Sequence, residues 1–176
     1  KLTRAVRSNI AQDLPVYIPP DTDRHVLRNY PLNYILPYVN MQMLMGHHLG
    51  LKGNVEQLLA SGDPKAIQLK ETVDSIMFEA VTDGIIQASA MYRFFPAQSQ
   101  GNQILIYDPS DVSKVLHTFT FPRQQVEPYL CLADFLKSVE SGVMDYVGFM
   151  VVTAGHGIQK LSTQWKDNGD YLRSHA

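Results

Sequence analysis

The stretch Ser141 to Gly157, SGVMDYVGFMVVTAGHG, constrains this chain more than any other. Tyr146 to Val152 is an apolar run about the length of one strand, rich in β-branched and aromatic residues. A run without polar alternation is the pattern of a strand buried on both faces. It stops at two glycines flanking His156, after which Ile158, Leu161 and Trp165 recur on one helical stripe. The expectation is a central strand, a tight turn and a helix packing back on the sheet, with the other strands placed against this one.

Upstream, Lys1 to Asp13 reads as a short helix or a linker, and Pro15, Pro19 and Pro20 keep Leu14 to Asp23 extended. Arg24 to Tyr30 contains a short strand. Pro31 opens a helix with Leu32, Ile35, Leu36 and Val39 on its buried side, and Pro37 forces a kink or restart near Asn40. The patch of Met41, Met43, Leu44 and Met45 reads as soft core filler. A short helix over Asn54 to Ala60 precedes the clearest helix in the chain. Asp63 caps that helix, Pro64 starts it, Ala66, Leu69, Val73, Ile76, Met77 and Ala80 line it, and Asp83-Gly84 ends it.

From Ile85 the period changes. Ala88 to Phe95, Gln103 to Tyr107 and Val115 to Phe121 read as strands, the last two paired antiparallel across Asp108-Pro109-Ser110-Asp111. Pro96 to Asn102 reads as a polar loop. The last helix, from near Asp167 or Gly169, is still running at Ala176 without a stop signal, the pattern of a fragment. The fold class expected is α+β: a mixed, mainly antiparallel twisted sheet with helices around it, truncated in a C-terminal helix.

The chemistry is less legible. A net charge of -2 with scattered basic residues gives no nucleic-acid footprint. One cysteine, Cys131, forms no disulfide framework, which fits a reducing cytoplasm. No window reaches the roughly 18 unbroken apolar residues of a membrane span. His47 and His48 are adjacent, so on a helix they diverge by about 100° and do not share a metal as an i, i+4 pair does. His117 shares a strand face with Val115, Phe119 and Phe121 and reads as a core histidine. Cys131 reads as a small buried hydrophobe, Asp134 as a turn cap, and Gly155-His156-Gly157 as a tight turn rather than a phosphate cradle. Arg93 and Arg123 are candidates for carboxylate or phosphate contacts. No nucleophile, base and orienting group come together, so no catalytic residue and no metal ligand is assigned.

Several phrases in order resemble the activation domain of cobalamin-dependent methionine synthase. They are Tyr129-Leu130-Cys131-Leu132-Ala133-Asp134-Phe135, Phe94-Phe95-Pro96-Ala97, Gly101-Asn102 with Ile104 to Tyr107, and Arg123-Gln124-Gln125. Ser141-Gly142, Asp145-Tyr146-Val147-Gly148, Val152-Thr153-Ala154-Gly155 and Asp170-Tyr171 follow in the same sequence. The resemblance runs from about Leu27 to the end. The organisation expected is an entry linker or extended arm over residues 1–23, followed over 24–176 by what the resemblance implies is the N-terminal part of one activation-type domain.

The resemblance further implies a module that presents S-adenosylmethionine to a cobalamin held by a neighbouring cobalamin-binding domain of the same enzyme. One electron from a flavodoxin-type donor and the sulfonium methyl then reductively methylate cob(II)alamin, which is catalysis by positioning. On this resemblance Asn40 stands where the family has an aspartate contacting the amino group of S-adenosylmethionine, and the uncharged amide weakens that hydrogen bond. Phe95, Pro96, Ala97, Arg123 and Gly155 are candidates for corrin- or ligand-facing loops. The family's Arg-x-x-x-Gly-Tyr-Pro segment has no counterpart here, so weak S-adenosylmethionine binding by these residues alone is expected. The alternative is a non-catalytic docking or scaffold domain for a corrinoid-binding partner.

Overall fold

The computed structural model describes residues 8–11, 13–155 and 157–175. The chain divides into two compact units. One comprises the described part of the first 26 residues with 91–151, and the other 27–90 with 152–175. The helix-or-linker expectation for Lys1 to Asp13 falls largely outside the described residues, as do His156 and Ala176.

The five strands are β1 (His25–Leu27), β2 (Ser89–Gln100), β3 (Gln103–Asp108), β4 (Asp111–Thr120) and β5 (Asp145–Thr153). They lie in the order β1-β2-β3-β4, with β5 also paired to β2. β2 and β3 pair antiparallel from Ala97↔Ile106 to Gln100↔Gln103, turning at Gly101, whose φ of 60° suits a tight hairpin. β3 and β4 pair antiparallel across the expected Asp108 to Asp111 turn. There Asp108 Oδ1 accepts from Ser110 N at 2.9 Å and Ser110 Oγ at 2.7 Å, and these bonds hold its carboxyl below the ordinary range.

Two expectations are corrected. The organising strand is β2, not β5. β5 is half-buried only over its first three residues, and Met150 is 75% exposed. An unbroken apolar run marks a two-sided strand only where a second layer covers it, and none of the described residues covers the outer half of this one. Second, Pro96 to Gln100 is not a loop but the second half of β2. Pro96 has no N–H to give a ladder, and it sits directly before the first residue in register with β3. Polar Gln98 and Ser99 are buried because they hydrogen-bond to Val143 O and Leu136 O at 2.8 and 3.1 Å.

The core of this unit gathers Ala97, Ile104, Ile106, Cys131 and Ala133, with Phe95, Phe119, Phe121 and Val147 packed on it. The segment after β4 carries two single 3₁₀ turns, Leu132–Phe135 and Val139–Ser141.

The helical unit follows the sequence in its elements, but the apolar side expected after Pro31 is not buried: Ile35 is exposed and Leu32, Leu36 and Val39 are only half-buried. α1 (Leu32–Ile35) passes into a 3₁₀ turn at Leu36–Tyr38 containing Pro37, and the chain restarts as a π-helix, Gln42–His48. α2 (Val55–Ala60) is capped by Asn54, which accepts from Gln57 N at 2.9 Å. α3 (Pro64–Thr82) is capped by Asp63, which accepts from Ala66 N at 2.8 Å, and it ends at Gly84 with φ 64°. Met45 and Val55 pack against Ala66, Leu69 and Val73 of α3, with Met41, Leu44 and Met77 around them, so Met41 and Met45 fill the core as expected while Met43 is exposed. α4 (Ile158–Asp167) and α5 (Tyr171–His175) complete the unit, and Arg173 of α5 pairs with Glu79 of α3.

Candidate functional site

In the sheet unit the most strongly built polar feature centres on Arg123 and Asp134. Their side chains are 11% and 1% exposed. Arg123 Nη1 and Nη2 donate to Asp134 Oδ2 and Oδ1 at 2.5 and 2.7 Å, the two-pronged geometry suited to a planar guanidinium. Nε and Nη2 donate to Asn102 Oδ1 at 3.2 and 3.0 Å, and Nη1 also donates to Tyr129 O at 2.7 Å. Those five bonds use the five N–H donors of an arginine, so none is left over for a ligand.

Asp134 Oδ2 accepts in addition from Ser8 N at 3.0 Å and from Ser8 Oγ. Burial alone would raise the Asp134 pKa, but the Arg123 guanidinium and the two Ser8 donors outweigh it and hold the carboxyl at about 2. The hydrogen bond to Asp134 likewise raises the Arg123 pKa. Arg123 does contact a carboxylate, as its residue type suggests, but the carboxylate is the chain's own. Asp134 is not a turn cap; it is the buried counter-charge. An acid set between Ala133 and Phe135 in an apolar segment signals that it needs a cation. No local pattern identifies the partners, because Ser8 and Asn102 are far away in sequence.

Phe95 and Ala97 belong to the same unit. Ala97 is fully buried in the core, and Pro96 is buried beside it. Phe95 packs edge-to-face on Phe149 at 5.7 Å, with the Arg93 guanidinium 4.8 Å over its ring. These residues border a groove of about 250 Å³ that Met91, Tyr92, Met150 and Val151 also line. Of the three proposed positions, Phe95 alone borders this groove. His117 is exposed on β4 rather than in the core, and it packs edge-on against Phe119 at 4.5 Å. The register keeps His117 opposite Ile106 as it keeps Phe119 opposite Ile104; the shift between Ile106 and Tyr107 separates His117 only from Val115. Cys131 is buried, as its leucine neighbours suggest.

Asn40 and Gly155 lie in the helical unit. Asn40 is exposed, and its Oδ1 accepts from Met43 N at 3.0 Å at the start of the π-helix. Gln42 ties that helix down: its Nε2 donates to Gly53 O at 3.1 Å and its Oε1 accepts from Val55 N at 2.8 Å. A shallow groove of about 400 Å³ runs along Met43, Gly46 and His47. Gly155 adopts φ 98°, and a Cβ there would lie 2.8 Å from Gln87 Cβ. Gln87 N donates to Ala154 O at 2.8 Å, so the chain crosses here backbone to backbone. Gln87 also lines a cavity of about 330 Å³ with Tyr30, Leu32, Ala80 and Ile86. The tight-turn reading of the glycines agrees with this crossing, and Gly157 also has positive φ, 99°. Among the described residues, no helix is long and apolar enough to cross a membrane.

Comparison with known proteins gives a consistent result. The family described as "Vitamin B12 dependent methionine synthase, activation domain" matches residues 31–175. Methionine synthase of Mycobacterium tuberculosis is 31% identical over 187 residues, covering 97% of this chain and 15% of that protein. Methionine synthase of Mycobacterium leprae is 28% identical over 189 residues, with the same coverage of 97% and 15%. The chain thus spans about one-seventh of the length of these relatives. The crystal structure of the MetH reactivation domain bound to AdoHcy superposes with a TM-score of 0.77 at 22% identity. That match covers 90% of this chain and 51% of the solved one, and it shares the α+β fold. From its sequence match across almost all of its length, this chain belongs to the family of activation domains of vitamin B12-dependent methionine synthase.

Proposed function

We propose that this chain forms part of the reactivation module of a cobalamin-dependent methionine synthase, presenting S-adenosylmethionine for reductive methylation of cob(II)alamin in cytoplasmic methionine biosynthesis. The observation that carries the reading is the family match over residues 31–175. The fold shared with a reactivation domain solved with AdoHcy supports it. On this reading the methyl group comes from S-adenosylmethionine, the electron from a flavodoxin-type donor, and the accepting cobalamin is held by a separate domain.

The chain's own residues bind and position. Asn40 faces the ligand side at the head of the π-helix, where its Oδ1 already accepts from Met43 N. An ammonium there shares that oxygen and meets no formal charge, so its hydrogen bond is the weaker neutral-acceptor kind. Phe95 offers an aromatic surface, and Pro96 and Ala97 fix the strand behind it. Arg123 acts indirectly, by holding the segment from 123 to 134 through Asp134 and Tyr129 O. Gly155 permits the close crossing with Gln87 that shapes the neighbouring cavity.

The test is calorimetric titration of S-adenosylmethionine into a methionine synthase carrying this segment, alongside Asn40→Asp and Asn40→Ala. The aspartate variant should bind about ten-fold more tightly, the difference between a neutral and a charge-assisted contact of about 1.4 kcal/mol. Identical affinities for all three proteins would remove Asn40 from the site, and no binding by any of them would remove the reading.

A further inference from the structure

The family match begins at residue 31, yet the described residues before it are not a bare linker. Ser8 is buried, and both its amide and its hydroxyl donate to Asp134 Oδ2, 126 residues away in sequence. Residues Ile10, Leu14 and Tyr17 border a cavity of about 210 Å³ whose other wall is Phe135 and Lys137. Pro19 is buried, and Thr22 O accepts from Arg93 Nε at 2.8 Å. The arm is therefore fastened to the sheet unit at both ends. The prolines between keep it extended and lower the entropy of laying it down.

We propose that residues 8–11 and 13–22 act as a latched strap, in which the seating of Ser8 on Asp134 keeps the segment from Phe121 to Leu136 closed over Cys131. The internal bonds of that segment are local: Gln124 N donates to Leu130 O at 2.9 Å and Tyr129 N to Val126 O at 2.8 Å. Its hold on the sheet runs through the Arg123 bonds to Asn102, the packing of Cys131 and Ala133, and the Ser99 bonds at its end. Ser8 supplies two of the four donor contacts to the Asp134 carboxylate described here, and it comes from outside the segment. Displacing the arm takes both away together and leaves a buried acceptor short of donors. Displacement of the arm is thereby coupled to opening of this segment.

Cys131 is the single cysteine of the chain and is 3% exposed, so its reactivity reports that opening directly. The experiment measures the rate of thiol modification by an aromatic disulfide reagent in the 176-residue chain, in Ser8→Ala and in Ser8→Pro, as a function of urea. Ser8→Ala loses the hydroxyl bond and keeps the amide; Ser8→Pro loses both. Labelling should accelerate about ten-fold in the first and about a hundred-fold in the second, one lost hydrogen bond to a charged group per step. In both, the acceleration should depend only weakly on urea, the mark of a local opening. Unchanged rates in both variants, or labelling with the steep urea dependence of global unfolding, would overturn the strap.

Discussion

Replacing Asp134 by asparagine isolates the electrostatics of the sheet unit. The carboxylate takes Arg123 Nη1, Ser8 N and Ser8 Oγ on one oxygen and Arg123 Nη2 on the other. An asparagine has one acceptor and one donor end, so in either orientation an N–H faces an N–H, and the Arg123 charge loses its counter-ion. Breaking one side of a buried pair costs about 3–5 kcal/mol. The Arg123 bonds to Asn102 and Tyr129 O survive, so the loss should fall near the lower end, about 3 kcal/mol. The pH dependence gives a second, independent reading. The Asp134 pKa is about 2 in the folded chain against an ordinary 3.8. A depressed carboxylate contributes stability above its unfolded pKa and loses it as pH falls toward the folded value. The difference is about 2.4 kcal/mol, of which about two-thirds is gone by pH 2.5. Urea titrations at pH 7, 4 and 2.5 should show this loss in the natural chain and its absence in Asp134→Asn. Equal acid sensitivity of the two proteins would refute the assignment of Asp134 as the buried, ionised partner of Arg123.

Gly155→Ala should cost about 2–4 kcal/mol, because positive φ and a 2.8 Å approach to Gln87 Cβ act together. Gly157→Ala has the same sign of φ but nothing within 4 Å, so about 1–2 kcal/mol is expected, and equal costs in thermal melts would discount the backbone crossing. Asp63→Ala removes the cap from α3 and should lower stability by about 1 kcal/mol in urea titration, with Asp63→Asn largely restoring it.

What the sequence alone determined was local structure, most of it in the helical unit. The cap at Asp63, the Ala66-Leu69-Val73 stripe, the stop at Gly84, the break at Pro37 and the turn at Asp108 follow from forces acting over a few residues. The ordered phrases from Phe94 to Tyr171 also carried the family. The sequence could not show which apolar run would be covered. Tyr146 to Val152 has the composition of a two-sided strand, yet its outer half is exposed, since covering it requires a second layer that strand periodicity does not encode. Pro96 ended a strand by its chemistry but not in the fold, because β2 runs on and its register with β3 begins at the next residue, Ala97. The largest omission was the Ser8, Asn102, Arg123 and Asp134 network. A buried charge can announce that it needs a partner, but its partner's position depends on tertiary packing that brings distant segments within 3 Å.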